Sequence, residues 1–250
     1  PLRKTPEATI KGVVEETAEK LRITHLLKRK TAQLSGGEMQ RVAIGRAIVR
    51  SPRLFLMDEP LSNLDAKLRE TLRVELKHLQ KTQGSTTLFV THDQIEALTM
   101  ADRIAVLSEG RVVQTGTPDD IYDRPATTFV AQLVGTPRIN LVPAGHGGGK
   151  VAVQGCPLAL PAPRLELPES FLLGVRPEDI RPDPAGEYTG SVVLTEPLGV
   201  ETILHIQCGE RRLLSLVPGM ARERVGDQVR FSIVKEKLHF FGAGGARIVR

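Results

Sequence analysis

The sequence predicts an α/β domain followed by an all-β domain, and three observations carry that prediction. Two short apolar runs at 54–57 and 86–90 have strand length and flank a long amphipathic helix pattern, the signature of parallel strands covered on both faces. Ser35, Gly36 and Gly37 open a further helix pattern with bare backbone amides and a hydroxyl at its positive dipole end, a phosphate site. Beyond Gly135 proline and glycine become frequent, and short apolar runs alternate with turns. At 250 residues the chain is long enough for two compact domains, predicted here as 1–135 and 136–250.

Taken in order, Ile10, Val13, Val14, Thr17, Ala18 and Leu21 recur at helical spacing and predict an amphipathic first helix. Met39, Val42, Ala43, Ile44, Ala47 and Ile48 extend the helix opened at Ser35 and stop near Ser51-Pro52, where proline disfavours continuation. The run at 54–57 is the first buried strand, and Asp58 and Glu59 lie at its C-terminal end, where open α/β sheets place their chemistry. Asp65 starts a helix with Leu68, Leu72, Leu76 and Leu79 on one stripe, and Gly84 ends it. The run at 86–90 leads to His92, and 104–107 reads as a third strand with Glu109-Gly110 as its turn, completing a doubly wound pattern. Short helices are expected at 119–122 and 128–134. In the second domain strands are expected at 172–175, 192–194, 200–206, 213–217 and 229–234, at roughly the 8–12-residue spacing of small barrels or sandwiches. Gly145-His146-Gly147-Gly148-Gly149 reads as a flexible turn, and no metal is assigned to His146.

Composition narrows the function classes. Hydrophobic residues at 40% and charged residues at 25% fit a packed globular chain rather than a disordered or fibrous one. A net charge of +5 comes from scattered basic residues, and 4% aromatics without Trp offer no stacking platform, so nucleic acid is not expected as a partner. Cys156 and Cys208 lack a metal-ligand or C-x-x-C spacing; they read as buried small hydrophobes, with a bridge between them left open. No run approaches the about 18 apolar residues of a bilayer span, so membrane contact is expected through a partner.

Phosphoryl transfer to water needs groups that hold Mg²⁺, orient the attacking water and stabilise charge on the transferred phosphoryl. Asp58 is the carboxylate expected on the metal side, acting through a bound water, and Glu59 the general base or water-orienting group. His92 is placed to sense the γ-phosphate. The plainer alternatives are helix capping for Ser35 and Asp65, a turn for the glycines, and a surface pair for the two acids.

The octet from Leu34 to Arg41, the apolar run ending in Asp58-Glu59, Ser62-Asn63-Leu64-Asp65 and Thr91-His92-Asp93 together resemble the nucleotide-binding subunit of ABC transporters. The resemblance implies a partial P-loop ATPase domain with a helical subdomain, followed by an OB-like barrel of the TOBE type. It implies that Ser35, Gly36, Gly37, Glu38 and Gln40 bind the γ-phosphate of ATP held by the opposite subunit, and that Asp65, in a D-loop, crosses that interface. The implied cofactors are ATP and Mg²⁺. The implied partners are a second ATPase subunit in a homodimer or pair, transmembrane permease subunits and, indirectly, a solute-binding protein; the implied location is peripheral, on the cytoplasmic face of the inner membrane.

Gly116-Thr117-Pro118, Ile121-Tyr122 and Pro125 resemble the end of the ATPase domain in importers related to the maltose and glycerol-phosphate systems. The stretch Leu173-Gly174-Val175-Arg176-Pro177-Glu178-Asp179, and Glu196-Pro197-Leu198-Gly199 with Glu201-Thr202, resemble the regulatory domain of those importers. The expected activity is ATP hydrolysis driving uptake of a carbohydrate or glycerol 3-phosphate. Polyamine or iron import and a degenerate, non-hydrolysing regulator are the alternatives; a soluble ABC protein of DNA repair or translation would need a long coiled coil or a second cassette. No G-x-x-x-x-G-K-[ST] loop occurs in the sequence, so the chain reads as the C-terminal part of an ATPase that is not competent alone. Apolar surface is accordingly expected to lie bare beside 54–57 and 88–90.

Overall fold

A computed structural model describes residues 6–50 and 52–249, and all their side chains except those of Leu79 and Gln83. The chain divides into two compact units, Pro1–Ala101 and Asp102–Arg250.

The first unit runs α1 (Glu7–Lys20), α2 (Gly36–Ile48), β1 (Leu54–Asp58), α3 (Ala66–Gln83), β2 (Thr86–Val90) and α4 (Gln94–Met100). Only the C-terminal half of α1 packs: Thr17 and Ala18 are buried, whereas Ile10 and Val13 face solvent. Helix α2 opens with a capping box in which the Glu38 amide donates to Ser35 Oγ (3.3 Å) and the Ser35 amide donates to the Glu38 carboxylate (2.8 Å). Asp65 caps α3 by accepting from the Leu68 amide at 3.0 Å, and Gly84 closes it in the left-handed region at φ +61°. The α3 stripe holds for Leu68, Leu72 and Leu76; the Leu79 side chain and Ser51, the predicted stop of α2, lie outside the described residues.

Strands β1 and β2 are parallel, in the register Leu54↔Thr86 to Asp58↔Val90. Alternation then gives their sheet two unlike faces. Phe55, Met57 and Phe89 pack on Ile44, Leu61, Leu72 and Leu76, whereas Leu54, Leu56, Leu88 and Val90 are 50, 71, 59 and 50% exposed. The bare apolar surface expected beside these strands is therefore this sheet face. Truncation is predicted to respect the difference: Phe55→Ala costs the first unit about 3–5 kcal/mol, whereas Leu56→Ser stays within about 0.5 kcal/mol. Native-state hydrogen exchange of β2 amides, read by mass spectrometry, checks both.

The second unit begins with β3 (Ile104–Ser108) and β4 (Arg111–Gly116), then α5 (Pro118–Asp123) and α6 (Thr128–Leu133). Strand β3 pairs antiparallel with β4 in its own two-stranded sheet and does not join β1 and β2, as the doubly wound reading had it. The cause is local: Glu109 and Gly110 both take positive φ, +50° and +72°, a two-residue turn whose twist returns the chain antiparallel.

The remainder is all β: β5 (Asn140–Gly147), β6 (Lys150–Val153), β7 (Ala159–Pro161), β8 (Ser170–Val175), β9 (Ile180–Pro182), β10 (Tyr188–Pro197), β11 (Glu201–Cys208), β12 (Arg211–Pro218), β13 (Gln228–Ile233) and β14 (His239–Phe241). They form two five-stranded sheets, β14-β8-β5-β6-β7 and β12-β11-β10-β13-β9, all of whose pairs are antiparallel. Their inner faces share one core that includes Val151, Leu160, Leu173, Leu204, Ile206, Leu213 and Phe231. Asn140 ties the sheets together, donating to the Val175 and Leu214 carbonyls and accepting from the Leu214 amide at 2.7 Å. Only Gly148 and Gly149 of the glycine-rich stretch form the turn, both at positive φ; Gly145, His146 and Gly147 belong to β5.

Candidate functional site

The end of β1 carries an unusual backbone. Glu59 adopts φ +44°, in the left-handed region that costs a non-glycine residue of order 1–3 kcal/mol. Its amide donates to the Val90 carbonyl at 2.9 Å, and its carbonyl accepts from Ser62 Oγ (3.0 Å) and from Gln40 Nε2 (3.2 Å), so three elements hold the strained residue in place. Gln40 also donates to the Pro60 carbonyl. The consequence is directional. The twist at Glu59 carries its carboxylate to the residues after β2, where Oε1 meets His92 Nδ1 at 2.9 Å.

The His92 turn is braced independently. Asp93 caps α4, accepting from the Ile95 amide at 2.7 Å and the Glu96 amide at 3.3 Å, and Thr91 Oγ1 donates to the buried Glu96 carboxylate at 2.6 Å. Arg69, one turn into α3, donates to the Leu64 carbonyl at 3.1 Å and lies 3.6 Å from the Asp93 carboxylate. Glu59, Ser62, Arg69, Thr91, His92, Asp93 and Glu96 line one recess. Hydrogen bonding to Glu59, followed by the charges of Glu59, Asp93 and Glu96, raises the His92 pKa above its ordinary value, so the exposed imidazole is ready to carry a proton.

The structure thus brings Glu59 and His92 into direct contact and anchors Gln40 to the Glu59 backbone. Asp58 is exposed at the strand end and does not line the recess. Ser35, Gly36, Gly37 and Glu38 stand apart from it at the start of α2, and Asp65 is engaged as the cap of α3. Sequence reasoning took Thr91 only as part of the motif around His92 and passed over Arg69 and Glu96. The Asp93-x-x-Glu96 spacing, a capping pattern, was the available signal for the last; Arg69 carried none, because its partners are a carbonyl and a residue of another helix.

Two groups are implied here, a nucleotide and Mg²⁺, and the residues fit both. A Cβ built on Gly36 would meet nothing within 4 Å, and the amides of Gly36 and Gly37 find no acceptor among the described residues, which leaves the positive end of α2 open to phosphate oxygens. Glu38, by contrast, is committed to the capping box. Among the described residues no three His, Cys, Asp or Glu side chains converge as a metal cage. A single strand-end carboxylate such as Asp58 suits Mg²⁺, which takes most of its ligands from phosphates and water.

Similarity to known proteins covers nearly the whole chain. The ABC transporter family matches residues 3–62 and the TOBE domain family residues 173–241. The chain is 44% identical over 242 residues to an sn-glycerol-3-phosphate import ATP-binding protein, UgpC, of a Jannaschia species, covering 96% of this chain and 69% of that protein. It is 46% identical over 243 residues to the protein of the same name from a Ruegeria species, covering 96% and 68%. It is 42% identical over 244 residues to the sulfoquinovosyl glycerol transport ATP-binding protein SmoE of Agrobacterium fabrum, covering 94% and 68%. A solved structure of cbiO1 from Clostridium perfringens, described as part of an ABC transporter complex, is 32% identical with 49% of each chain covered and a TM-score of 0.44. Among the described residues no helix is long and apolar enough to cross a membrane. With relatives of this identity across nearly its whole length, the chain belongs to the family of ATP-binding subunits of ABC importers.

Proposed function

We propose that the Glu59 and His92 pair, together with Asp58, forms the hydrolytic half of an ATP site in an importer of glycerol 3-phosphate or a related glycerol or carbohydrate solute. The observation that carries this reading is the 2.9 Å contact between Glu59 and His92, made by a strained residue that three hydrogen bonds hold in place. Glu59 orients water and takes its proton, and the imidazole of His92 steers the carboxylate and reports on the phosphate beyond it. Asp58 is the residue that would hold Mg²⁺, and the ion would supply neutralisation of phosphate charge.

Ser35, Gly36 and Gly37 contribute amides and a hydroxyl to the nucleotide of an opposed subunit. Glu38 and Gln40 serve that motif from behind, the one by holding Ser35 and the other by fixing α2 to the Glu59 backbone. Asp65 positions the D-loop at the same interface. The ATPase is then a dimer or a pair, peripheral to the cytoplasmic face of the membrane, with permease subunits and a solute-binding protein upstream of it. The boundary between the ATPase and TOBE domains is placed at 135/136, where the texture of the sequence changes.

The solute class is tested by reconstituting the complete ATPase with its permease and binding protein in vesicles loaded with ATP. Uptake of radiolabelled sn-glycerol 3-phosphate or a glycoside, at least about tenfold above vesicles containing ADP, is expected. Uptake of spermidine or ferric ion in its place overturns the solute assignment, and ATP-independent uptake overturns the hydrolytic one.

A further inference from the structure

The hydrolytic site makes no use of the two sulfurs of the chain. Cys208 ends β11 and is 1% exposed; Cys156 follows β6 in a half-buried turn. They are 52 positions apart in sequence, yet their Sγ atoms lie 2.6 Å apart, well inside the ordinary contact distance of two sulfurs. Strand β6 belongs to one five-stranded sheet of the second unit and β11 to the other, so the pair spans the two sheets at one edge of their common core.

The backbone around the sulfurs is equally close, independently of the thiols. The Glu210 amide donates to the Gly155 carbonyl at 2.6 Å, and Arg211 Nε to the Gln154 carbonyl at 2.9 Å. Gly209, at φ +60°, has no room for a side chain: a Cβ there would lie 2.5 Å from the Gly155 oxygen and 3.1 Å from the Cys156 Cα. The turn that carries Cys156 is closed on itself and on β5, through Val153 N to Leu158 O and Gln154 N to Pro143 O. Two turns locked together by their main chains present the two sulfurs to each other, and little movement separates this arrangement from a bonded one.

We propose that Cys156 and Cys208 are an oxidisable dithiol, a modification site at which hydrogen peroxide closes an intramolecular disulfide that staples the two sheets of the TOBE unit. Cys156 is half-buried where Cys208 is 1% exposed, so its sulfur is the one peroxide reaches, and the thiolate is the reactive species. The Cys156 sulfur attacks one peroxide oxygen, the O–O bond breaks, and the departing hydroxide leaves as water with the Cys156 proton. The Cys208 sulfur then attacks the resulting sulfenic sulfur; the S–S bond forms, the S–O bond breaks, and the second water leaves with the Cys208 proton. Two thiols and one peroxide become one disulfide and two waters, with two electrons passing from sulfur to oxygen. A small dithiol reverses the reaction by exchange.

The test uses the whole chain, treated with hydrogen peroxide, alkylated, and digested without reductant for mass spectrometry. A peptide pair linked through Cys156 and Cys208, two hydrogens lighter than the separate thiol peptides, is expected. So is a rise of several degrees, up to about 10 °C, in the unfolding midpoint of the second unit, because a cross-link across a long loop restricts the unfolded chain. Dithiothreitol should abolish both changes, and Cys156→Ala should show neither. Recovery of both cysteines as free alkylated thiols, separate oxidation to sulfinic acids, or a link between two chains overturns the proposal. The peptide map is read on the unmodified sequence and so stands even where a variant folds poorly.

Discussion

Glu59→Gln in the complete ATPase lowers kcat by about 10²- to 10⁴-fold, the range associated with losing a positioned general base, while ATP affinity stays within a few-fold of the parent. The substitution is nearly isosteric, and the backbone bonds that hold residue 59 at φ +44° involve its main chain rather than its carboxylate. The site therefore keeps its shape and loses only the proton acceptor, which places the loss in kcat. Steady-state hydrolysis and equilibrium nucleotide binding, measured on the same preparation, separate the two quantities. Parental turnover in the variant removes Glu59 from the reaction.

The same substitution has a second readout that needs no catalysis. The Glu59 hydrogen bond and charge are the first causes of the raised His92 pKa, with Asp93 and Glu96 contributing less. Removing the carboxylate should therefore lower the His92 titration midpoint part of the way to its ordinary value, as followed by NMR of the imidazole on this 250-residue chain. The sign follows from the direction of the shift. A histidine with a raised folded pKa keeps its ion pair at low pH and loses it as pH rises through that value, so the contact to Glu59 is charge-assisted on the acid side and an ordinary hydrogen bond above it. A midpoint that does not move would mean that the 2.9 Å contact is not populated in solution.

What the sequence made legible was whatever depended on local chemistry. Asp65 and Gly84 bound α3 because a cap and a left-handed stop are properties of single residues, and Ser35 opens α2 for the same reason. Parallel β1 and β2 were readable because their short runs are rich in apolar and β-branched residues. In the two five-stranded sheets, the strands that escaped notice, β5, β6, β7, β9 and β14, are short or interrupted by glycine and proline, and their pairing involves distant partners. Pro143 sits within β5 opposite Leu172, and His239 and the two phenylalanines of β14 pair with β8 across more than sixty positions. Phe241 in β14 is fully buried, and its strand forms one edge of its sheet. Local turn chemistry, by contrast, decided β3, whose apolar sequence suits a parallel strand but whose turn residues commit it to a hairpin.

At the candidate site, the carboxylate and imidazole were singled out in the sequence by their motif positions. Their contact was not, because it depends on the positive φ of Glu59, and Glu is not a residue in which sequence alone signals that conformation. Arg69 was hidden for a related reason. Its role lies in joining the Leu64 carbonyl to Asp93, a junction between two helices that exists only in the folded unit.

Arg176→Met is expected to be the most damaging single change in the second unit, costing about 3–5 kcal/mol. Arg176 is 2% exposed and its guanidinium donates to three carbonyls, those of Ala131 (3.0 Å), Val134 (2.6 Å) and Tyr122 (2.8 Å). Tyr122 and Ala131 lie in the last turns of α5 and α6 and Val134 is the C-cap of α6, so these carbonyls sit at the negative ends of the helix dipoles. The guanidinium also stacks 4.0 Å over the Tyr122 ring, and the Tyr122 hydroxyl donates to Glu178, two residues further along the same segment. One buried fork therefore fastens both short helices to the segment that follows β8, and methionine fills the space without answering any carbonyl. Arg176→Lys restores the charge but not the fork, and an intermediate cost of about 2 kcal/mol is expected. The chain has no Trp and only two Tyr, Tyr122 and Tyr188, both in this unit, so tyrosine fluorescence reports its unfolding alone. In urea the midpoint should fall by about 2 M for Arg176→Met, with the slope unchanged. A fall of under about 0.5 M would show that water satisfies those carbonyls as well as arginine does, and that the helices are held by the contacts of Ala131 with Ile139 and Phe241 instead.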